Sequence, residues 1–188
     1  MKLEITLTAF ILVTGLAASA QGTFVYDQQS TGTIDGGASL SQTPFGQSFT
    51  PTLDAVGFIE LQLFDSAAAT TIDVNIRSGS ITGAILGTSL PTTMPGNSSG
   101  IFDFLFSNPV TLTPGTKYYF EPVMVGGGSS VGADITFVQY TGGDAIYGGT
   151  AFNNQDLWFR EGVVTAVPEP ASGALLVVAG LLFWRGRR

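Results

Sequence analysis

The chain has 188 residues, with 14 Asp and Glu against 7 Lys and Arg, a net charge of −7, and neither Cys nor His. A cysteine nucleophile, a Ser-His-Asp triad, a disulfide framework and a zinc site of ordinary ligands are therefore excluded. Between residues 21 and 166 the balance steepens to 12 acids and 3 bases (Arg77, Lys117, Arg160), a net charge of −9, which excludes nucleic acid because phosphate contacts need clustered Lys and Arg.

The chain opens with Lys2, an apolar run from Ile5 to Leu16, and the small-x-small pattern Ala18-Ser19-Ala20. This order predicts a secretory signal peptide over residues 1–20, cleaved by the export machinery to leave Gln21 at the new N-terminus. Glu4 beside Lys2 is the one departure from that pattern.

Residues 21–164 read as one domain, large enough for a real core. Alternating apolar and polar residues predict strands at Phe58–Phe64, Thr71–Arg77, Ile101–Phe106, Lys117–Val125, Ile135–Tyr140 and Leu157–Glu161. Shorter candidates lie at Thr23–Tyr26, Gln47–Thr50, Ala84–Leu86 and Val110–Leu112. In the first strand Ile59, Leu61 and Leu63 share the core face, with Glu60 and Gln62 on the other. Ile72, Val74 and Ile76 do the same in the second, and Phe102, Phe104 and Phe106 in the third. Pro122 places the fourth at a sheet edge or a bulge, because it has no N–H for a ladder. Asn108-Pro109 and Pro114-Gly115 are turn signals around the Val110–Leu112 candidate. About eight to ten short strands at this spacing predict an all-β fold, an antiparallel β-sandwich of jelly-roll type.

Chemistry-bearing residues are sparse. Asp144, Asn153, Asn154 and Asp156 lie among glycines beside the last strand, and oxygen ligands on turns suit calcium. Their spacing matches no EF-hand loop, and Asn, Asp and Gly are also the ordinary turn formers. Asp27, Asp35, Gly36 and Gly37 form a poorer second candidate. Tyr140, Tyr147 and Trp158 offer flat faces that could stack on sugar rings, although Trp158 lies in an apolar strand where packing is the commoner role. Glu60, Asp103 and Glu121 project from polar strand faces. A glycosidase needs two carboxylates across a cleft, and nothing in the sequence brings a pair together, so a solvated acidic face and no enzyme are expected.

The chain closes with Val167-Pro168-Glu169-Pro170, an apolar run of 14 residues from Ala171 to Trp184, and Arg185-Gly186-Arg187-Arg188. The prolines hold Glu169 in an extended, non-helical linker over residues 165–170. As a helix the run spans about 21 Å, against about 30 Å of hydrocarbon, and snorkelling arginines ease the difference. Residues 171–188 thus predict a C-terminal transmembrane helix with Arg185, Arg187 and Arg188 as its cytoplasmic stop.

This tail resembles the PEP-CTERM sorting signal of Gram-negative bacteria, with Val167, Pro168, Glu169 and Pro170 as the recognition motif. Ala171-Ser172 stands where the family often has Ser-Thr. The resemblance implies an exosortase as partner, transient inner-membrane anchoring, cleavage near the motif, and a destination at the cell surface or in a polysaccharide matrix. The run from Gly46 to Pro51, the strand from Val56 to Asp65 and the segment Asp156 to Gly162 are also similar to an extracellular domain common in exosortase-tailed proteins. That second resemblance implies the fold and carries no activity. The reading is an exported surface or matrix protein with a structural or adhesive domain; the alternative is a carbohydrate-binding module held in secreted polysaccharide.

Overall fold

The computed structural model describes residues 22–128, 130–137 and 140–165. The signal peptide with Ala18, Ala20 and Gln21, the motif Val167–Pro170, the terminal helix and Arg185, Arg187 and Arg188 lie outside the described residues. Among the described residues no helix is long and apolar enough to cross a membrane.

Among the described residues there are fourteen strands: β1 (Thr23–Ser30), β2 (Ile34–Ser39), β3 (Gly46–Phe49), β4 (Ala55–Asp65), β5 (Thr70–Ser78), β6 (Ile85–Thr88), β7 (Thr92–Met94), β8 (Ser99–Thr111), β9 (Tyr118–Gly127), β10 (Val131–Thr136), β11 (Ala145–Tyr147), β12 (Thr150–Phe152), β13 (Asp156–Leu157) and β14 (Phe159–Thr165). They form two seven-stranded antiparallel sheets, one built on β1, β14, β4, β10, β13, β2 and β8, the other on β12, β11, β3, β9, β5, β6 and β7. The expected all-β sandwich architecture is what the chain adopts.

The long strand β4 organises the first sheet. One edge pairs with β8 from Ala55 to Phe64, and the other with β14 at Phe58–Leu61 and then with β10 at Leu63–Asp65. Trp158 sits where the chain changes partner between β13 and β14: its N–H donates to Asp134 O (2.8 Å) and its carbonyl accepts from Gln62 N (3.3 Å).

Period-two alternation gives each sheet an apolar inner face. Ile59, Leu61, Leu63, Phe104, Val131, Ala133, Leu157 and Phe159 from one sheet meet Phe49, Ile72, Val74, Ile76, Tyr118 and Phe120 from the other in one core. Phe120 and Phe159 touch across it at 5.2 Å between ring centroids. Each fully buried side chain of this size contributes roughly 1.5–3 kcal/mol relative to exposure. The outer face of the first sheet carries a second apolar group, in which Phe58 stacks on Phe24 (4.3 Å) and meets Tyr26 edge-on (5.5 Å).

Four departures from the sequence expectation have physical causes. The expected strands at Ile101–Phe106 and Val110–Leu112 belong largely to one strand, β8, in which Phe106–Pro109 bulge opposite Gly57. Pro109 is tolerated there because β8 has a free edge. The strand expected at Ile135–Tyr140 runs earlier, Val131–Thr136, which turns Val131, Ala133 and Ile135 inward. The glycine-bearing strand β2 was not predicted; Gly37 and Gly132 lie under the Phe64 ring, which occupies the place their Cβ atoms would take. Glu60 is not on a solvated face: it is 4 % exposed. Pro122 follows expectation, since β9 has lost its β3 neighbour beyond Phe120 and pairs there only with β5, through Val74.

Candidate functional site

At one end of the sandwich the β10–β11 loop, the β12–β13 turn and the start of β9 surround a cleft of about 320 Å³. Its lining is Lys117, Tyr140, Thr141, Gly143, Asp144, Asn153, Asn154 and Asp156. All four residues read as calcium ligands from the sequence therefore meet at one place, together with one of the three expected stacking aromatics.

A buried polar network builds the floor of this cleft. Gln47, from β3, donates its Nε2 to Asp156 Oδ1 (2.7 Å) and accepts Leu157 N at its Oε1 (2.9 Å). Tyr140 N donates to Asp156 Oδ2 (2.9 Å). Burial raises the Asp156 carboxyl above its ordinary range, with the Asp144 charge adding to the rise and the Tyr140 and Gln47 bonds opposing it. Both Asp156 oxygens thus serve the fold. The loop is tied down beside it, with Ser48 N donating to Asp144 O (3.0 Å) and Asp144 N donating to Ser48 Oγ (2.9 Å). A side chain at Gly143 would put its Cβ 1.8 Å from Ser48 O, so only glycine allows this approach. Asn154 takes a left-handed φ of 72°, which fits it to its turn before it fits it to any ion.

The electrostatics of the cleft are mixed. Two carboxylates stand against the Lys117 ammonium, and among the described residues no group of three acidic side chains gathers to hold a metal ion. A calcium ion here would rest on Asp144 and on the amide oxygens of Asn153 and Asn154.

Replacing Gln47 by Leu removes the bridge between β3 and β13 while keeping a side chain of similar volume. Asp156 Oδ1 and Leu157 N both lose their partner, at about 1–3 kcal/mol for each orphaned group. A matching fall in the urea midpoint is expected, and an unchanged midpoint would show that the network carries no stability.

The stacking candidates divide. Trp158 is 8 % exposed and packs beside Arg160, whose guanidinium carbon lies 5.1 Å from the ring centroid. It is a buried packing residue and presents no open platform. Tyr147 is wedged between Phe45 (5.4 Å) and Phe152 (4.9 Å). Its buried hydroxyl has no partner among the described residues, and burial pushes its pKa well up. Tyr140 meets Phe159 edge-on at 5.3 Å, and its hydroxyl accepts Thr50 N (2.9 Å). Burial raises that hydroxyl to about 12. Tyr140 alone lines the cleft.

The strand-face acids also divide. Glu60 and Asp103 are directly opposed in β4 and β8, whereas Glu121 lies in the other sheet, paired with Arg77 (2.7 Å). Glu60 is covered by Arg160, with Nε 2.5 Å from Oε2. Asp27, of the poorer calcium candidate, is not joined to Asp35: its carboxylate accepts Thr52 N (2.7 Å), Leu53 N (2.9 Å), Gln28 Nε2 (2.9 Å) and the Thr52 hydroxyl. Asp35 accepts Phe137 N (2.8 Å) at the start of β2.

No family model, curated protein or solved structure matches the chain.

Gln47, Ser48 and Lys117 reach this site without having been singled out as site residues. Gln47 stands at a strand position that alternation marks only as buried or exposed, and no spacing in the sequence announces its partner 109 residues away. Lys117 is the one base in a long acidic stretch, a signal that was present but pointed nowhere without the fold.

Proposed function

We propose that this is an exported surface or matrix protein, sorted by its C-terminal segment and processed by an exosortase, with a non-catalytic structural or adhesive domain. The observation that carries the reading is the order of parts at the end of the chain: Val167-Pro168-Glu169-Pro170, a short apolar run, and three arginines. The domain before it is compatible with that role, because the buried Asp156 and Gln47 in its cleft are engaged in holding strands together. The chain passes between the sheets on entering β3, β4, β5, β8, β9, β10, β11 and β13, and we read this winding as jelly-roll type.

The test is intact mass and cell fractionation, wild type against Glu169→Ala. Loss of the tail in the wild type, with an intact tail in the membrane fraction of the variant, is the expected result. An intact tail in both would make the segment a plain anchor and place the domain at the inner-membrane surface.

The cleft favours a second reading, a carbohydrate-binding module. Asn153, Asn154, Asp144, Lys117 and Tyr140 supply donors, acceptors and one aromatic ring of the kind that sugar hydroxyls use. Binding to a glycan array that Asn153→Ala abolishes would establish it. Silence on the array, with and without calcium, would remove it.

A further inference from the structure

The fold consumes some of the groups that line the cleft and leaves others open to a ligand. Asp156 spends its two carboxylate oxygens on Gln47 Nε2 and Tyr140 N. Tyr140 gives its hydroxyl to Thr50 and keeps its ring in the lining. Asp144 is tied through its backbone: its N–H donates to Ser48 Oγ and its carbonyl accepts Ser48 N. Its carboxylate makes no ion pair among the described residues, and neither does Lys117, because Arg77 holds Glu121 and Arg160 holds Glu60. Asn153 and Asn154 are exposed on the turn that the left-handed φ of 72° at Asn154 shapes.

One carboxylate, one ammonium and two amides are thus free to meet a ligand. Salt screens charges beyond about 8 Å, so groups inside the cleft select more strongly than the net charge of −9 over residues 21–166 does. An anionic sugar would pair with Lys117 but would also face Asp144, whose charge already acts on Asp156 at the floor. A cationic sugar would pair with Asp144 and face Lys117. Like charges brought together in a partly desolvated site cost binding. A neutral sugar meets neither conflict. A hydroxyl both donates and accepts, so one can accept from Lys117 Nζ while its neighbour donates to Asp144, and the amides serve either role. Bonds to charged groups are about twice as strong as neutral ones. The cleft volume of about 320 Å³ lies at the small end of ligand pockets, which suits a short stretch of sugar.

We propose that the cleft takes a neutral pyranose, held by adjacent hydroxyls between Asp144 and Lys117 and resting on Tyr140, and that it rejects uronic acids and amino sugars. This selectivity rests on the carbohydrate-binding reading of the cleft and names the ligand class within it.

The experiment is calorimetric titration of the full-length chain with a chelator present, in a detergent that carries no sugar headgroup. The probes are cello-, manno- and galacto-oligosaccharides, oligogalacturonate and chitosan oligomers. The expected result is binding of at least one neutral oligomer, with both charged kinds roughly tenfold weaker or worse. Lys117→Met and Asp144→Asn should each weaken the neutral ligand roughly tenfold while keeping the far-ultraviolet spectrum of the wild type. Asp144→Asn should also narrow the gap between neutral oligomers and oligogalacturonate. Oligogalacturonate or chitosan binding as well as the neutral oligomers would overturn the proposed selectivity and leave the sugar site standing. Neutral binding that neither variant alters would overturn it by placing the sugar away from Asp144 and Lys117. Silence towards every oligomer would remove the carbohydrate-binding reading and the selectivity with it.

Discussion

In calcium-free solution the domain is expected to lose stability steadily as the pH rises from about 4.5 towards about 9, and Glu161→Gln is expected to abolish most of that slope. Burial raises the Glu161 carboxyl to about 9, with the Asp27 charge adding to the rise and the Gln28 backbone opposing it. The folded state therefore keeps a proton that the unfolded chain releases above about 4.5. The contribution is complete below that pH and gone above about 9, because ionisation in between favours the unfolded chain. The slope is at most about 1.4 kcal/mol per pH unit, a ceiling of roughly 6 kcal/mol, against a typical total of about 5–15 kcal/mol. The raised carboxyls of Glu60 and Asp156 add to the fall in the same direction. Asp27 works the other way: burial acts to raise it but its donors lower it on balance, so its stability is complete above its ordinary value and is lost as the pH falls through the lowered one. Guanidinium midpoints measured across this interval in the presence of a chelator would check the prediction, and an equal slope in the Gln variant would refute it.

Arg160→Ala is expected to cost about 3–5 kcal/mol near neutral pH, far more than a surface substitution. The guanidinium carbon lies 4.8 Å from the Tyr26 ring centroid and 5.1 Å from that of Trp158, and Nε is 2.5 Å from Glu60 Oε2. Glu60 is 4 % exposed and stands opposite Asp103. Its carboxyl is raised by burial, with Arg160 pulling it back down and Asp103 pushing it up. Removing the guanidinium leaves a buried charge beside a second acid, so Glu60 must take up a proton or the strands must open. The loss should shrink in acid, where protonation is free. Glu60→Gln should be milder, and the double variant should be more stable than the sum of the two single losses predicts. Additive losses in a denaturant cycle would mean that Arg160 acts through its aromatic neighbours alone.

Which segments become strands was largely written in the alternation of apolar residues. Ile59-Leu61-Leu63, Ile72-Val74-Ile76 and Phe104-Phe106 all turned inward as their spacing demanded. The strands that escaped notice were short or glycine-bearing. β7, β11 and β12 have three residues each, too few for a period to show, and β2 contains two glycines accommodated by its neighbours. Asp144, Asn153, Asn154 and Asp156 were legible as a turn-borne oxygen cluster, and they do share one cleft. Trp158 was legible only as an aromatic in an apolar strand.

By itself the sequence determined the chemistry that is absent, the two-sheet architecture, and the ordered motif, apolar run and arginines of the tail, since these follow from composition, period and the order of segments. Only the tertiary structure decided which polar residues are buried and against what. Glu60 and Glu161 look alike as acids on short strands. One lies under Arg160 and the other faces Asp27 across a bulge, because neighbours in a sheet come from distant parts of the chain and a shift of register by one residue changes every pairing.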